Sequence, residues 1–179
     1  QRVVVLSGPS FAFELAREKT TAVVVASLDQ EAAEAVQAGF RSSALRLYVS
    51  GDVTGVEMGG AMKNVIAIAA GVVEGLGLGS NAMAALITRG LAEISRLACA
   101  MGGRRETLAG LSGLGDLILT CTGGLSRNRQ VGIELGRGRP VNEILAGMRT
   151  VAEGVRTTAA ALELGQRLLE RRPVHALQV

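Results

Sequence analysis

The sequence predicts an α/β layer followed by a mostly α-helical domain. Over residues 1–50 short apolar strands alternate with short helices, the pattern of an α/β sheet. From Gly55 onward the strand signal nearly disappears. Residues 56–73 are apolar almost all the way round a helix, which implies burial on most sides. The composition change at 50–55 divides the chain into 1–50 and 51–179.

The elements follow in order. Residues 3–6 form a first strand, whose unbroken apolar run suits the interior of a parallel sheet. The partners of such a strand are expected from an N-terminal portion missing from this chain. Ser7-Gly-Pro-Ser10 is a turn, and Ser10 is placed to N-cap a short helix running to about Arg17. Residues 21–26 are a second strand. Ser27 or Asp29 caps a helix at 30–40, with Ala33, Val36 and Phe40 on one apolar stripe. Residues 45–49 are a third strand. Helices are then predicted at 55–73, 81–101, 104–111, 115–121, 128–136, 141–148 and 155–171. Ser80 or Asn81 caps the second of these, Gly102-Gly103 ends it, and Arg89 and Glu93 pair within it at i,i+4.

Composition excludes several classes of function. The 48% hydrophobic content supports a core and argues against disorder. The 24 glycines are scattered, which points to tight turns and close packing rather than a periodic fibre. A net charge of +3, with arginines spread over several helices and no interleaved aromatics, argues against nucleic-acid binding. Cys99 and Cys121 form neither a disulfide framework nor a metal-ligand spacing, and His175 is the one histidine, so no metal site is expected. No signal peptide and no uninterrupted apolar run of about 18 residues is present, so membrane insertion is not expected and a reducing cytoplasm is the default. An apolar helical domain leaves a homodimer open. His175 and the arginines of 167–172 read as surface.

Lys63 is the first candidate for chemistry. Val56, Gly59, Gly60, Ala67 and Ala70 lie within about 60° of it on a helical wheel, so it projects from a lane of small residues with Asn64 beside it. Small residues let a ligand or another backbone come close. Desolvation there lowers a lysine pKa toward that of a general base, unless the stem merely covers apolar surface and the amine reaches water.

Three further stretches stand out. Ser7-Gly-Pro-Ser10-Phe-Ala12 is a strand-to-helix turn of the kind that binds ligands in α/β proteins, or an ordinary βα turn. Gly113-Leu-Gly115-Asp116-Leu-Ile-Leu-Thr120-Cys-Thr-Gly-Gly124 places a carboxylate before an apolar run, where Asp116 serves as a helix N-cap, as a partner of Lys63, or both. Leu125-Ser126-Arg127-Asn128-Arg129 opens a helix with a hydroxyl, a guanidinium and an amide, a set that suits a phosphate or a solvated cap. The runs Gly75-Leu-Gly77-Leu-Gly79 and Gly113-Leu-Gly115 follow no strand and make no dinucleotide fingerprint. Cys121 reads as a buried structural thiol.

Taken in order, Ser7–Ala12, Gly60-Ala-Met-Lys-Asn-Val-Ile-Ala67, Ala85-Leu-Ile-Thr-Arg-Gly-Leu-Ala-Glu93, Gly113–Thr122, Ser126-Arg-Asn-Arg129 and Val151-Ala-Glu-Gly154 resemble bacterial NAD(P)-dependent glycerol-3-phosphate dehydrogenase along nearly the whole chain. The resemblance implies the C-terminal part of a Rossmann sheet followed by a helical domain like that of 6-phosphogluconate dehydrogenase. It implies an enzyme that interconverts sn-glycerol 3-phosphate and dihydroxyacetone phosphate with NAD or NADP, for phospholipid synthesis. It implies Lys63 as the proton-transferring group with Asp116 beside it. Gly8, Ser10, Lys63, Asn64, Asp116, Thr120, Ser126, Arg127 and Asn128 are implied for the substrate, and Ala12, Arg127, Val151 and Glu153 for the cofactor. The family's G-x-G-x-x-[GA] loop and a further substrate lysine are expected upstream of residue 1, and its last helix is expected to extend past Val179. The chain alone is therefore expected to bind NAD(P) weakly and to turn over undetectably. Two other readings stand beside this one. A related dehydrogenase acting on a 3-hydroxy acid or ketopantoate shares the Lys-Asn pair. A non-catalytic binding or dimerisation fragment fits the absent nucleotide loop.

Overall fold

The computed structural model describes residues 2–148 and 151–170. A three-stranded sheet in the order β1-β2-β3 forms from β1 (Val5–Ser7), β2 (Thr21–Ala26) and β3 (Leu45–Ser50). β2 and β3 run parallel, with Val23 opposite Leu47. They are joined through α2 (Gln30–Phe40), which seats Ala33 on Val23, Val25 and Leu47.

β1 departs from expectation. It pairs antiparallel to β2, with Leu6 opposite Val25, and its Leu6 is 49% exposed. An apolar run fixes neither the pairing direction nor, for this edge strand of the described sheet, full burial. The intervening α1 (Ala12–Leu15) is a single turn, so the chain re-enters the sheet at the end it left and runs back. Ser10 does not cap α1: Phe11 holds the capping position, and Ser10 Oγ donates to the Gly8 carbonyl at 3.0 Å. Asp29, not Ser27, caps α2, accepting from Ala32 N at 3.1 Å. Ser27 Oγ instead donates to the Val3 carbonyl at 2.7 Å, stitching the approach to β1 onto the end of β2. Phe40, on the predicted stripe, is exposed where α2 ends and the chain turns extended at Arg41.

α3 (Val53–Gly75) is the hub of the helical part. It is long and apolar enough to cross a membrane by length and composition, yet it packs against α4 (Gly79–Ala100), α6 (Asp116–Thr122), α7 (Arg127–Gly136) and α9 (Glu153–Glu170). Ala67 and Ala70 are fully buried with Ile94, Ala98, Leu108, Leu117 and Cys121 in one core cluster. Two full leucines in such a cluster contribute about 1.5–3 kcal/mol each. Cys121 is the buried structural thiol expected, and burial pushes its thiol up to about 12. Arg89 and Glu93 pair at 3.2 Å, and Gly102, at φ +93°, ends α4 as predicted. α4 starts differently. Gly79 turns the chain at φ +83°, and neither Ser80 nor Asn81 caps the helix.

The region predicted as helices at 104–111 and 115–121 is more broken. α5 (Arg105–Leu108) is one turn, and a π-helical turn, Leu111–Gly115, runs directly into α6. α8 (Val141–Ala146) supplies Ile144 to a smaller cluster with Val131 of α7 and Ala152 before α9. The predicted last helix begins at Glu153 rather than residue 155. Arg167 is exposed, as expected, while His175 and the two arginines at 171 and 172 lie outside the described residues.

Asp52 fixes the hub's start. Its Oδ1 accepts from Gly55 N at 2.8 Å, capping α3, and its Oδ2 accepts from Arg104 N at 2.8 Å, tying α3 to the chain beyond α4. Burial alone pushes its carboxyl up. The Thr107 hydroxyl, the N–H groups of Arg104 and Gly55 and the Arg104 charge outweigh that, so the carboxyl sits below the usual range. A depressed folded-state pKa gives stability that is present above the unfolded value of about 3.9 and is lost as pH falls through the folded value. Asp52→Ala is therefore expected to cost about 2 kcal/mol at pH 7 by urea unfolding, through the lost cap and tie. The gap to wild type should narrow as pH drops below 4. A gap independent of pH would show that the carboxylate charge contributes nothing.

Candidate active site

A cleft of about 980 Å³ lies between the sheet's β1 end and the helices. Its walls come from β1 and the turn after it, from α3, from α6, and from the start of α7 with Glu153 of α9. Gly8 is the pivot of the first wall. It adopts φ +145°, a conformation that disfavours a side chain, and an added Cβ would sit 3.0 Å from Val23 Cα.

Lys63 reaches into this cleft from α3. Gly59 is buried against the π-helical turn, where a Cβ would lie 2.4 Å from the Ser112 carbonyl. Gly60 faces Ser7 Oγ. The small-residue lane thus brings α3 against both the sheet and the turn that delivers Asp116. Lys63 Nζ donates to Asp116 Oδ2 at 2.5 Å. The side chains are 22% and 3% exposed, so burial falls on the carboxylate rather than on the lysine that the sequence expects to be desolvated. Burial pushes the Asp116 carboxyl above its ordinary value, against the pull of the Lys63 charge, the Lys63 and Thr120 hydrogen bonds and the Gly8 N–H. Asp116 does not cap α6, because the π-helical turn continues into it and leaves no free helix start. Thr120, one turn on, donates from Oγ1 to the Asp116 carbonyl at 2.6 Å.

The third wall is the start of α7. Ser126 caps it, accepting from Arg129 N at 3.3 Å. The other N–H groups of the first turn have no acceptor within the helix, and the turn carries the positive end of the helix dipole. Arg127 lies half exposed, with its Nη2 3.1 Å from Glu153 Oε1. Asn128 is 4% exposed, and its amide is already engaged. Nδ2 donates to Asn64 Oδ1 at 3.0 Å, and Oδ1 accepts from Gly154 N at 2.9 Å. One side chain thereby joins α3, α7 and α9.

Gly8, Ser10, Ala12, Lys63, Asn64, Asp116, Thr120, Ser126, Arg127, Asn128 and Glu153 all border one cleft. Val151 does not; it is 61% exposed and lies off the lining. Sequence reasoning missed Glu57, Phe11 and Leu119, which line the same space. Glu57 lies about 120° from Lys63 on the wheel, so periodicity does not group them. Phe11 contacts the cleft by packing at Gly123, a long-range contact without a sequence signal. Among the described residues no cluster of three metal-ligating side chains exists.

Comparison with known proteins agrees with this arrangement. The chain matches the model of the NAD-dependent glycerol-3-phosphate dehydrogenase C-terminus over residues 52–176 and that of the corresponding N-terminus over residues 1–33. A glycerol-3-phosphate dehydrogenase [NAD(P)+] of Acidobacterium capsulatum is 64% identical over 173 residues, covering 96% of this chain and 51% of that protein. The one from Syntrophotalea carbinolica is 59% identical over 97% of this chain and 52% of its own. The crystal structure of glycerol-3-phosphate dehydrogenase from Coxiella burnetii superposes with a TM-score of 0.91 at 43% identity, over 99% of this chain and 53% of that one. The chain spans about half the length of the curated relatives it matches. A family model covering the whole helical part, with the Lys63–Asp116 pair and the α7 start converging where the sequence motifs place them, leaves one assignment: this chain belongs to the NAD-dependent glycerol-3-phosphate dehydrogenase family.

Proposed function

We propose that the chain carries the substrate-holding half of an NAD(P)-dependent oxidoreductase that interconverts sn-glycerol 3-phosphate and dihydroxyacetone phosphate. The observation that carries this reading is the contact between Lys63 and Asp116 in the same cleft as the anion-suited start of α7. On this reading residues 1–50 belong to the dinucleotide-binding part and 51–179 to the substrate part. The work is cytoplasmic, and its product feeds phospholipid synthesis.

The residues present fit the cofactor at its nicotinamide end only. Ala12, Arg127 and Glu153 border the cleft, whereas the turns of the described sheet carry no G-x-G-x-x-G fingerprint. When bound, the nicotinamide exchanges a hydride with the substrate's central carbon. Lys63 handles the proton at the oxygen on that carbon, giving it up as the carbonyl is reduced and taking it as the alcohol is oxidised. Asp116 holds Nζ at one point in space, so proton and oxygen meet without a search. Ser126, Arg127 and the first-turn N–H groups of α7 hold the phosphate at the substrate's far end. Asn64 and Asn128 keep α3, α7 and α9 in register around it.

Two preparations test the reading: the chain alone, and a chimera in which it replaces the matching half of the Acidobacterium capsulatum protein. With dihydroxyacetone phosphate and NAD(P)H, loss of nicotinamide absorbance is expected from the chimera and not from the chain. A silent chimera would sink the assignment. In the active chimera Arg127→Ala should raise KM for dihydroxyacetone phosphate about 30-fold or more, the loss of one charge-assisted phosphate contact. The KM for dihydroxyacetone, which lacks the phosphate, should hardly move. An equal effect on both would argue against a phosphate clamp.

A further inference from the structure

Among the described residues that line the cleft, each cation is already matched with a carboxylate. Lys63 is held by Asp116 and Arg127 by Glu153. The two pairs are built differently. Asp116 is buried, with hydrogen bonds of its own, whereas the side chains of Arg127 and Glu153 are 46% and 50% exposed. The second pair is also unlike the helical pairs Arg89–Glu93 and Arg167–Glu163, whose partners are four residues apart. Arg127 and Glu153 are 26 residues apart and come from different helices.

What brings them together is rigid. Gly154 N donates to the buried Asn128 Oδ1, and a Cβ on Gly154 would fall 2.6 Å from the Asn64 carbonyl. The backbone at the start of α9 is therefore clamped against the start of α7, while the Glu153 side chain stays free to leave. A half-exposed ion pair is weak, so a doubly charged anion at the α7 start can take the guanidinium at little cost. A singly charged anion gains nothing by the exchange, since it replaces one negative charge with another.

We propose that Glu153 is the displaceable counter-ion of Arg127. It occupies the guanidinium until a phosphate monoester dianion takes its place, and so biases the cleft toward dianions. The proposal rests on the reading of the α7 start as a phosphate cradle. Asn128 then acts as a positioning residue that sets Glu153 opposite Arg127.

The test uses inorganic phosphate and the full chain, with affinity read by calorimetry or phosphorus NMR at low salt. Glu153→Gln should bind phosphate about three-fold more tightly than wild type, the range a weak surface pair leaves open. The gain should vanish in the Arg127→Ala background, since the double-mutant cycle isolates the pair. It should also shrink as salt is raised. An equal gain without Arg127 would reduce the effect to plain charge repulsion and overturn the exchange, as would no gain at all. If Arg127→Ala alone binds phosphate as well as wild type, the cradle reading itself falls, and the exchange falls with it. A substitution at so exposed a carboxylate leaves the fold intact, which circular dichroism checks.

Discussion

Lys63→Ala in the active chimera is expected to lower kcat by about 10³- to 10⁴-fold, the upper part of what a positioned acid–base group contributes. Nucleotide affinity, read by fluorescence, should stay within about two-fold if, as proposed, Lys63 meets the reacting oxygen and not the dinucleotide's phosphates. The variant has a structural side effect that must be separated from chemistry. The Asp116 carboxylate, 3% exposed beside Lys63, loses its 2.5 Å partner when the ammonium is removed. An orphaned buried charge costs up to about 3–5 kcal/mol, less here because the lysine keeps contact with solvent. The double variant Lys63→Ala/Asp116→Ala removes the orphan. If both variants fold and both lose kcat to the same extent, the loss belongs to the missing proton carrier. A single variant with wild-type kcat would end the role of Lys63. A double variant that recovers activity would mean that Asp116, left charged, had been the inhibitor.

Much of this site is legible in the sequence because α3 writes it in small residues. Gly59, Gly60, Ala67 and Ala70 share a face with Lys63, and helical periodicity alone recovers that face. The structure gives each of them a close neighbour or full burial. The α7 start was legible for the same kind of reason, since a capping serine precedes the helix that it caps. The contacts that cross the fold were not legible from spacing. Asp116 meets Lys63 53 residues away because a π-helical turn, rather than a free helix start, delivers it. Asn128 reads as a phosphate ligand beside Arg127, yet both ends of its amide are engaged by Asn64 and Gly154. The antiparallel direction of β1 depends on how short α1 is, and an apolar run of four residues says nothing about that. Local signals identified the chemistry-bearing residues, and long-range packing decided which of them face each other.

Gly132→Ala is expected to destabilise the fold, with a sign opposite to helix propensity. Alanine in place of glycine inside a helix ordinarily stabilises by about 1 kcal/mol. Gly165 in α9 tests that rule, because an added Cβ there meets nothing within 4 Å and the residue lies well inside the helix. Gly165→Ala should raise Tm by about 2–4 °C. Gly132 lies where α7 crosses α3 at backbone contact. An added Cβ would be 1.9 Å from the Ile68 carbonyl oxygen and 2.8 Å from Gly71 Cα. Both are backbone atoms, so no side chain can rotate away and the two helices must part. Their separation cannot be local. Gly71 and Gly75 press on α7 in the same way, at the Arg129 and Ile133 carbonyls, so opening one glycine contact opens the whole crossing. Overpacking of this kind costs about 3 kcal/mol, which outweighs the propensity gain, leaves a net loss of about 2 kcal/mol and should lower Tm by roughly 4–8 °C. The loss should reach function as well, since α7 carries Ser126 to Asn128 and α3 carries Lys63. A variant that still folds should bind phosphate more weakly although no cleft residue has changed. A melting temperature equal to that of wild type would mean that the crossing has slack, and the small-residue lane would then serve only the approach to Lys63.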